Sequence, residues 1–238
     1  MESDVTQSAV LFKTWAWAEA HKKHLLLGAA GVLVAGIVAG FYLYQQEQKQ
    51  TAASQALSKI ASQSSLTGKA AEPEAFLKVA SEYANTGGGE RALLVAGARF
   101  FAEGKYSDAQ AQFQKFLGQY AGSDFAGQAA LGVAASLEAQ GKTDEAVKAY
   151  KDISERRSND LVAPQARLAL GRIYESQGKW NEARDTYQQL ARAEFGSIGQ
   201  EAGMNLQSLM LKHPELVQAP APAPAPVASS NAPVLNLK

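Results

Sequence analysis

Three histidines, one glycine cluster and 23 acidic side chains are the groups in this chain with the means to do chemistry. His21 and His24 flank Lys22 and Lys23, and His213 stands beside Pro214. None of them has metal-ligand spacing with acidic partners. The chain has no cysteine, hence no thiol nucleophile. That absence fits an envelope protein that avoids stray disulfides and a cytosolic one equally. The stretch NTGGGE from Asn85 lacks the Gly-Lys-Ser/Thr ending of a phosphate loop, and no strand pattern precedes it. It reads as a loose connection between helices. Asp144, Glu145, Glu182 and Asp185 fall in or near the first turns of helical stretches, where negative charge suits the helix dipole. Lysine plus arginine total 23, equal to the acids, so no basic excess points to nucleic acid. The residues argue against an enzyme, and neither a metal nor a cofactor is expected.

The elements that hold these groups repeat. Gly-Lys pairs begin at Gly104, Gly141 and Gly178, a step of 37 residues each time. In the same register run Ala109, Ala146 and Ala183, and the aromatics Phe113, Tyr150 and Tyr187. Upstream, Ala92, Ala129 and Ala166 align, as do Leu94, Leu131 and Leu168, and Gly97, Ala134 and Gly171. Phe76 and Tyr83 echo Phe113 and Tyr120 one step earlier. A period of this size marks stacked units, none of which can bury its apolar face alone. Leu168, Leu170, Ile173 and Tyr174 recur at helical spacing. The glycine then ends that helix, because it alone enters the left-handed conformation without steric cost. A second helix presents Ala183, Tyr187 and Leu190 on one face. Each unit is therefore an antiparallel helix pair, and the fold class is all-α.

Gly171, Tyr174, Ala183 and Tyr187 together resemble the tetratricopeptide repeat. The resemblance covers roughly 76–211 and is best over 165–193. The period exceeds the usual length of about 34 residues, and the proline that typically closes the second helix is absent. The longer period looks like that of bacterial envelope versions; an unrelated array of helical hairpins is the alternative. The resemblance implies an α-solenoid of helix pairs whose concave face, lined chiefly by first helices, binds proteins. Carried over, the groove positions are Arg91, Leu94, Ala98 and Phe101, then Gln128, Leu131, Ala135 and Glu138, then Gln165, Leu168, Arg172 and Glu175. Phe101, Leu131 and Leu168 would form an apolar strip at the groove's base. The lysine and asparagine clamp by which some members hold a peptide's C-terminal carboxylate is missing.

Before the repeats, 25–44 reads LLLGAAGVLVAGIVAGFYLY without a charge. Twenty helical residues cover about 30 Å, the thickness of a bilayer's hydrocarbon core. The run exceeds the roughly 7–15 apolar residues of a cleaved signal peptide and ends in Phe41, Tyr42 and Tyr44. The expectation is an uncleaved transmembrane signal anchor. Lys13, Lys22 and Lys23 before it favour a cytoplasmic N-terminus. Gly36 and Gly40, with Gly28 on nearly the same face, offer a packing surface to another membrane helix, including that of a second copy. Residues 10–20 fit a short amphipathic helix on the membrane surface.

The chain thus divides into a cytoplasmic N-terminal tail (1–24), the anchor (25–44), a helical extension and linker (45–71), the repeat domain (72–215) and an Ala/Pro-rich disordered tail (216–238). The alternating Ala-Pro run favours extended polyproline II. This layout is similar to the family of ancillary subunits of the bacterial Sec translocon. That resemblance implies a single-pass inner-membrane protein with periplasmic repeats, whose partners are translocon subunits, chaperones or client chains. The other readings are an envelope scaffold for outer-membrane assembly or cell-wall coordination, and a cytosol-facing import receptor.

Overall fold

The computed structural model describes residues 15, 17, 19–156, 162–193 and 196–217, with backbone alone at 25, 26, 29 and 217. Among them are nine α-helices and a closing 3-10 turn, Pro214–Val217, with no strand. The all-α expectation holds. The chain divides into two compact units, Met1–Ala96 and Gly97–Lys238.

The first unit contains α1 (Lys22–Thr67), α2 (Pro73–Glu82) and the start of α3 (Gly87–Ala102). α1 is one helix of 46 residues, ended by Gly68 in the left-handed region. Its side is pinned where Gln46 Nε2 donates to the Asn85 carbonyl at 2.9 Å and the Gly87 N–H donates to Gln50 Oε1 at 3.0 Å. The glycine cluster is therefore not a loose connection. Thr86 caps α3 by accepting the Gly89 N–H on its hydroxyl at 3.0 Å. Gly88 lies so close to α1 that a Cβ there would meet Ala53 Cβ at 2.5 Å. Only glycine admits that approach.

The transmembrane anchor over 25–44 is corrected. Among the described residues, no helix is long and apolar enough to cross a membrane. The stretch runs on unbroken into Gln45, Gln46, Glu47, Gln48 and Lys49. The side chains of Leu25, Leu26 and Ala29 lie outside the described residues, as do most of the amphipathic stretch over 10–20 and the tail over 218–238.

The second unit holds the end of α3, then α4 (Tyr106–Gln119), α5 (Ala126–Ala139), α6 (Thr143–Arg156), α7 (Ala163–Ser176), α8 (Trp180–Arg192) and α9 (Gly196–Lys212). The second helix of each pair buries an alanine, an aromatic and an apolar residue at i, i+4 and i+7. These are Ala109, Phe113 and Phe116 in α4, Ala146, Tyr150 and Ile153 in α6, and Ala183, Tyr187 and Leu190 in α8. That spacing makes one stripe per helix. Small residues on the first helices receive the rings: a Cβ on Gly97 or Gly132 would meet Phe113 at 2.8 or 2.6 Å, and one on Gly171 would collide with Tyr187. α5, α6 and α7 share one core, while α7, α8 and α9 share the next.

The Gly-Lys pairs close the first helices identically. Gly104, Gly141 and Gly178 have φ of 76°, 77° and 72°. The lysine N–H reaches back to the carbonyl five residues earlier, as Lys105 to Phe100, Lys142 to Leu137 and Lys179 to Tyr174, each at 2.9 Å. The glycine N–H bonds three back, to Phe101, Glu138 and Glu175. This is the Schellman arrangement, which usually adds an apolar contact between the same two residues. Here the ammonium groups of Lys105 and Lys179 stand 5.7 and 5.9 Å from the Phe100 and Tyr174 ring centres. A cation over a ring face takes the place of that contact.

Candidate partner-binding groove

The Schellman turns fix where each first helix ends, and the residues of its last turn open onto a groove between α5 and α7. The groove holds about 500 Å³ and is lined by Phe101, Ala135, Glu138, Ala139, Tyr150, Arg172, Ile173 and Ser176. First helices supply all of these except Tyr150. Alanines at 135 and 139 leave the width.

Phe101, Glu138 and Glu175 occupy one register position, and Phe113, Tyr150 and Tyr187 another twelve residues on. In the two later units the pair is polar. The Tyr150 hydroxyl donates to Glu138 Oε2 at 2.7 Å, and the Tyr187 hydroxyl donates to Glu175 Oε2 at 3.2 Å. In the earlier unit both positions are phenylalanine. Burial, then the neighbouring carboxylate, pushes both phenols well above the usual tyrosine range, while Arg172 pulls each partly back. The phenols therefore stay protonated and act as donors, each occupying one oxygen of its glutamate. Phe101 packs edge-on to Tyr106 with ring centres 5.1 Å apart.

The remaining charges sort into pairs toward α9. Lys212 Nζ meets Glu175 Oε1 at 3.3 Å, and Arg172 Nη1 stands 3.9 Å from Glu201 Oε1. α9 is itself held by a turn back across α8, where His213 stacks on Trp180 at 4.1 Å and Arg184 donates to the Leu216 carbonyl at 3.3 Å.

Of the residues expected to line a groove, Phe101, Glu138 and Arg172 converge here, with Ala135. Leu131 is half-buried against the α5–α7 core, and Leu168 is buried under α8 and α9. They supply packing in two separate cores rather than a shared strip. Gln128 and Gln165 are exposed in the first turns of α5 and α7. Each lies ten residues, about 15 Å of helix, before Glu138 or Glu175. Glu175 is turned to Tyr187 and Lys212. Arg91 is exposed and Leu94 half-buried, both in the first unit. On α1, Gly28, Gly36 and Gly40 face open space, with nothing within 4 Å of a Cβ. Tyr150, Ala139, Ile173 and Ser176 were missing from the expectation. The constant twelve-residue offset from Glu138 to Tyr150 and from Glu175 to Tyr187 was the available sign of the first.

A tetratricopeptide repeat-like domain model matches residues 13–209. The chain belongs to that family. The match begins upstream of α1, so the long helix is part of the family pattern as well as the repeats. No curated protein and no solved structure matches the chain. Repeats of this kind generally bind protein partners, and the fold is typically a scaffold rather than a catalyst. Among the described residues, no group of three or more histidines, cysteines or acids is placed to hold a metal ion.

Proposed function

We propose that this repeat-like protein is an interaction scaffold that seats an extended segment of a partner or client polypeptide in the α5–α7 groove. The observation behind this reading is the groove itself: about 500 Å³, with a short alanine wall, an aromatic edge and a carboxylate fixed from below. That volume is within the range of roughly 300–1,000 Å³ for ligand pockets. It suits one or two side chains of a peptide whose backbone lies along the open face.

The layout that resembles the ancillary translocon subunit makes translocon subunits, envelope chaperones and their client chains the partners to try first. Such partners would put the repeats on the periplasmic side of a bacterial inner membrane. An envelope scaffold for outer-membrane assembly or cell-wall coordination would use the same groove with other partners.

The test places a photoreactive amino acid at Ala139, an exposed position in the groove, and at Lys148, exposed on α6. Crosslinks to polypeptide from Ala139 and not from Lys148 are expected. Equal crosslinking from both, in a protein of unchanged helical content, would mean that the groove is not the seat.

A further inference from the structure

The α5–α7 groove and the α7–α9 face carry the same column of residues, and the second already holds an occupant. Glu175 receives the Tyr187 hydroxyl on one oxygen and the Lys212 ammonium on the other, at 3.3 Å. Lys212 stands 37 residues after Glu175, one full repeat, so it occupies the equivalent position in α9. In α5 the equivalent carboxylate is Glu138. It receives Tyr150 on Oε2, and no lysine or arginine among the described residues pairs with it. The residue one repeat after Glu138 is Glu175, a second carboxylate already satisfied by Lys212. Arg172 also lines the groove, and its guanidinium pairs with Glu201 at 3.9 Å rather than with Glu138. Glu138 is therefore the carboxylate in the groove's lining, and it has no ion-pair partner among the described residues.

We propose that the α5–α7 groove takes a lysine or arginine side chain of the bound polypeptide, with Glu138 as its acceptor, in the way Glu175 takes Lys212. The inference rests on the reading of the groove as a polypeptide site and names the chemistry recognised there. The wall fits both parts of such a side chain. Ala135, Ala139 and Ile173 accept the aliphatic stem, and the charged end meets Glu138 at the rim. Phe101 closes the side nearest Glu138 in the column, where its ring face can attract the same cation. The Tyr150 hydroxyl holds the acceptor in place before the ligand arrives, so little ordering is left to binding. Specificity follows from the Glu138 carboxylate, which no lysine or arginine among the described residues pairs with. A neutral side chain leaves it unanswered, and an acidic one opposes it.

The experiment uses the full chain and fluorescein-labelled twelve-residue peptides of alanine, leucine and serine with one central lysine, glutamine or glutamate, followed by anisotropy at low salt. The lysine peptide is expected to bind about tenfold tighter than the glutamine peptide, equal to about 1.4 kcal/mol, and the glutamate peptide weakest. Glu138→Gln keeps an acceptor for Tyr150, so the fold should persist with an unchanged melting curve. In that variant the lysine and glutamine peptides should bind alike. A lysine preference that survives in Glu138→Gln, or that is absent from the natural chain, overturns the inference while leaving the groove intact. Ala139→Trp separates the underlying reading. If it leaves the binding of every peptide unchanged, or if no peptide binds, the groove is not a polypeptide site and the inference falls with it.

Discussion

At α7 and α9, Glu175 meets both the Tyr187 hydroxyl and the Lys212 ammonium; at α5 and α7, Glu138 meets the Tyr150 hydroxyl alone. One unit earlier still, both column positions are phenylalanine and no charge needs an answer. Three copies of one helix pair thus run from apolar, through half-answered, to closed. The difference shows how a stack of near-identical units can present a single distinctive site. The units set the geometry, and α9, by supplying Lys212, gives the last copy the cation that the middle one lacks.

The comparison breaks first at the ring under the closed site. Tyr187 is fully buried between α7, α8 and α9. Tyr187→Ala should cost about 3–5 kcal/mol in chemical denaturation, the range for emptying an aromatic site. A loss below half a kcal/mol would place that aromatic column on the surface. Gly171→Ala tests the same contact from the other side, since the added methyl would strike the ring. It should cost about 1–3 kcal/mol through overpacking. The equivalent position in the middle unit is already Ala134, fully buried. The two units therefore seat their tyrosines differently, and Gly171→Ala should hurt although alanine is native one repeat away.

Both tyrosines also predict a pH response. Their phenols have raised pKa values in the folded chain, so above the ordinary value near 10 the unfolded chain releases protons that the folded one keeps. Their contribution is complete below pH 10 and is lost as pH rises beyond it. Denaturation midpoints at fixed temperature should hold steady up to about pH 9.5 and then fall. Tyr150→Phe with Tyr187→Phe should flatten that fall. An equally steep alkaline loss in the double variant would assign it to other groups.

Much of this was legible in the sequence. The 37-residue step, the glycines at 104, 141 and 178, and the alanine–aromatic stripe of the second helices each have a local cause: a left-handed turn or a single buried face. Phe101, Glu138 and Arg172 were legible too, because a first helix's position in the pair fixes which of its residues can face a groove. Leu168 was not, since its burial depends on α9, whose sequence carries few marks of the repeat. The tight start of α3 was hidden as well. Three glycines signal flexibility until Ala53 of a distant helix is known to press against Gly88. The charge-free run over 25–44 suggested a membrane span from hydropathy alone, and the helix of described residues does not meet that standard.

The smallest expected effect sharpens the comparison most. Lys212 is exposed, and a surface ion pair of this kind contributes about 0.2–1 kcal/mol. Lys212→Ala should therefore barely move stability, yet it should leave Glu175 in the state of Glu138. A second molecule of lysine peptide should then bind per chain, read as a change in stoichiometry. An unchanged stoichiometry would mean that the α7–α9 face is closed by shape and not by charge.

The central claim, that the α5–α7 groove is where a polypeptide is seated, is tested most directly by hydrogen exchange on the full chain with and without saturating lysine peptide. The account predicts added protection around Glu138–Ala139 at the end of α5 and around Arg172–Ser176 in α7, with α9 unchanged. Protection confined to α9 or α1, or none at saturation, would contradict it.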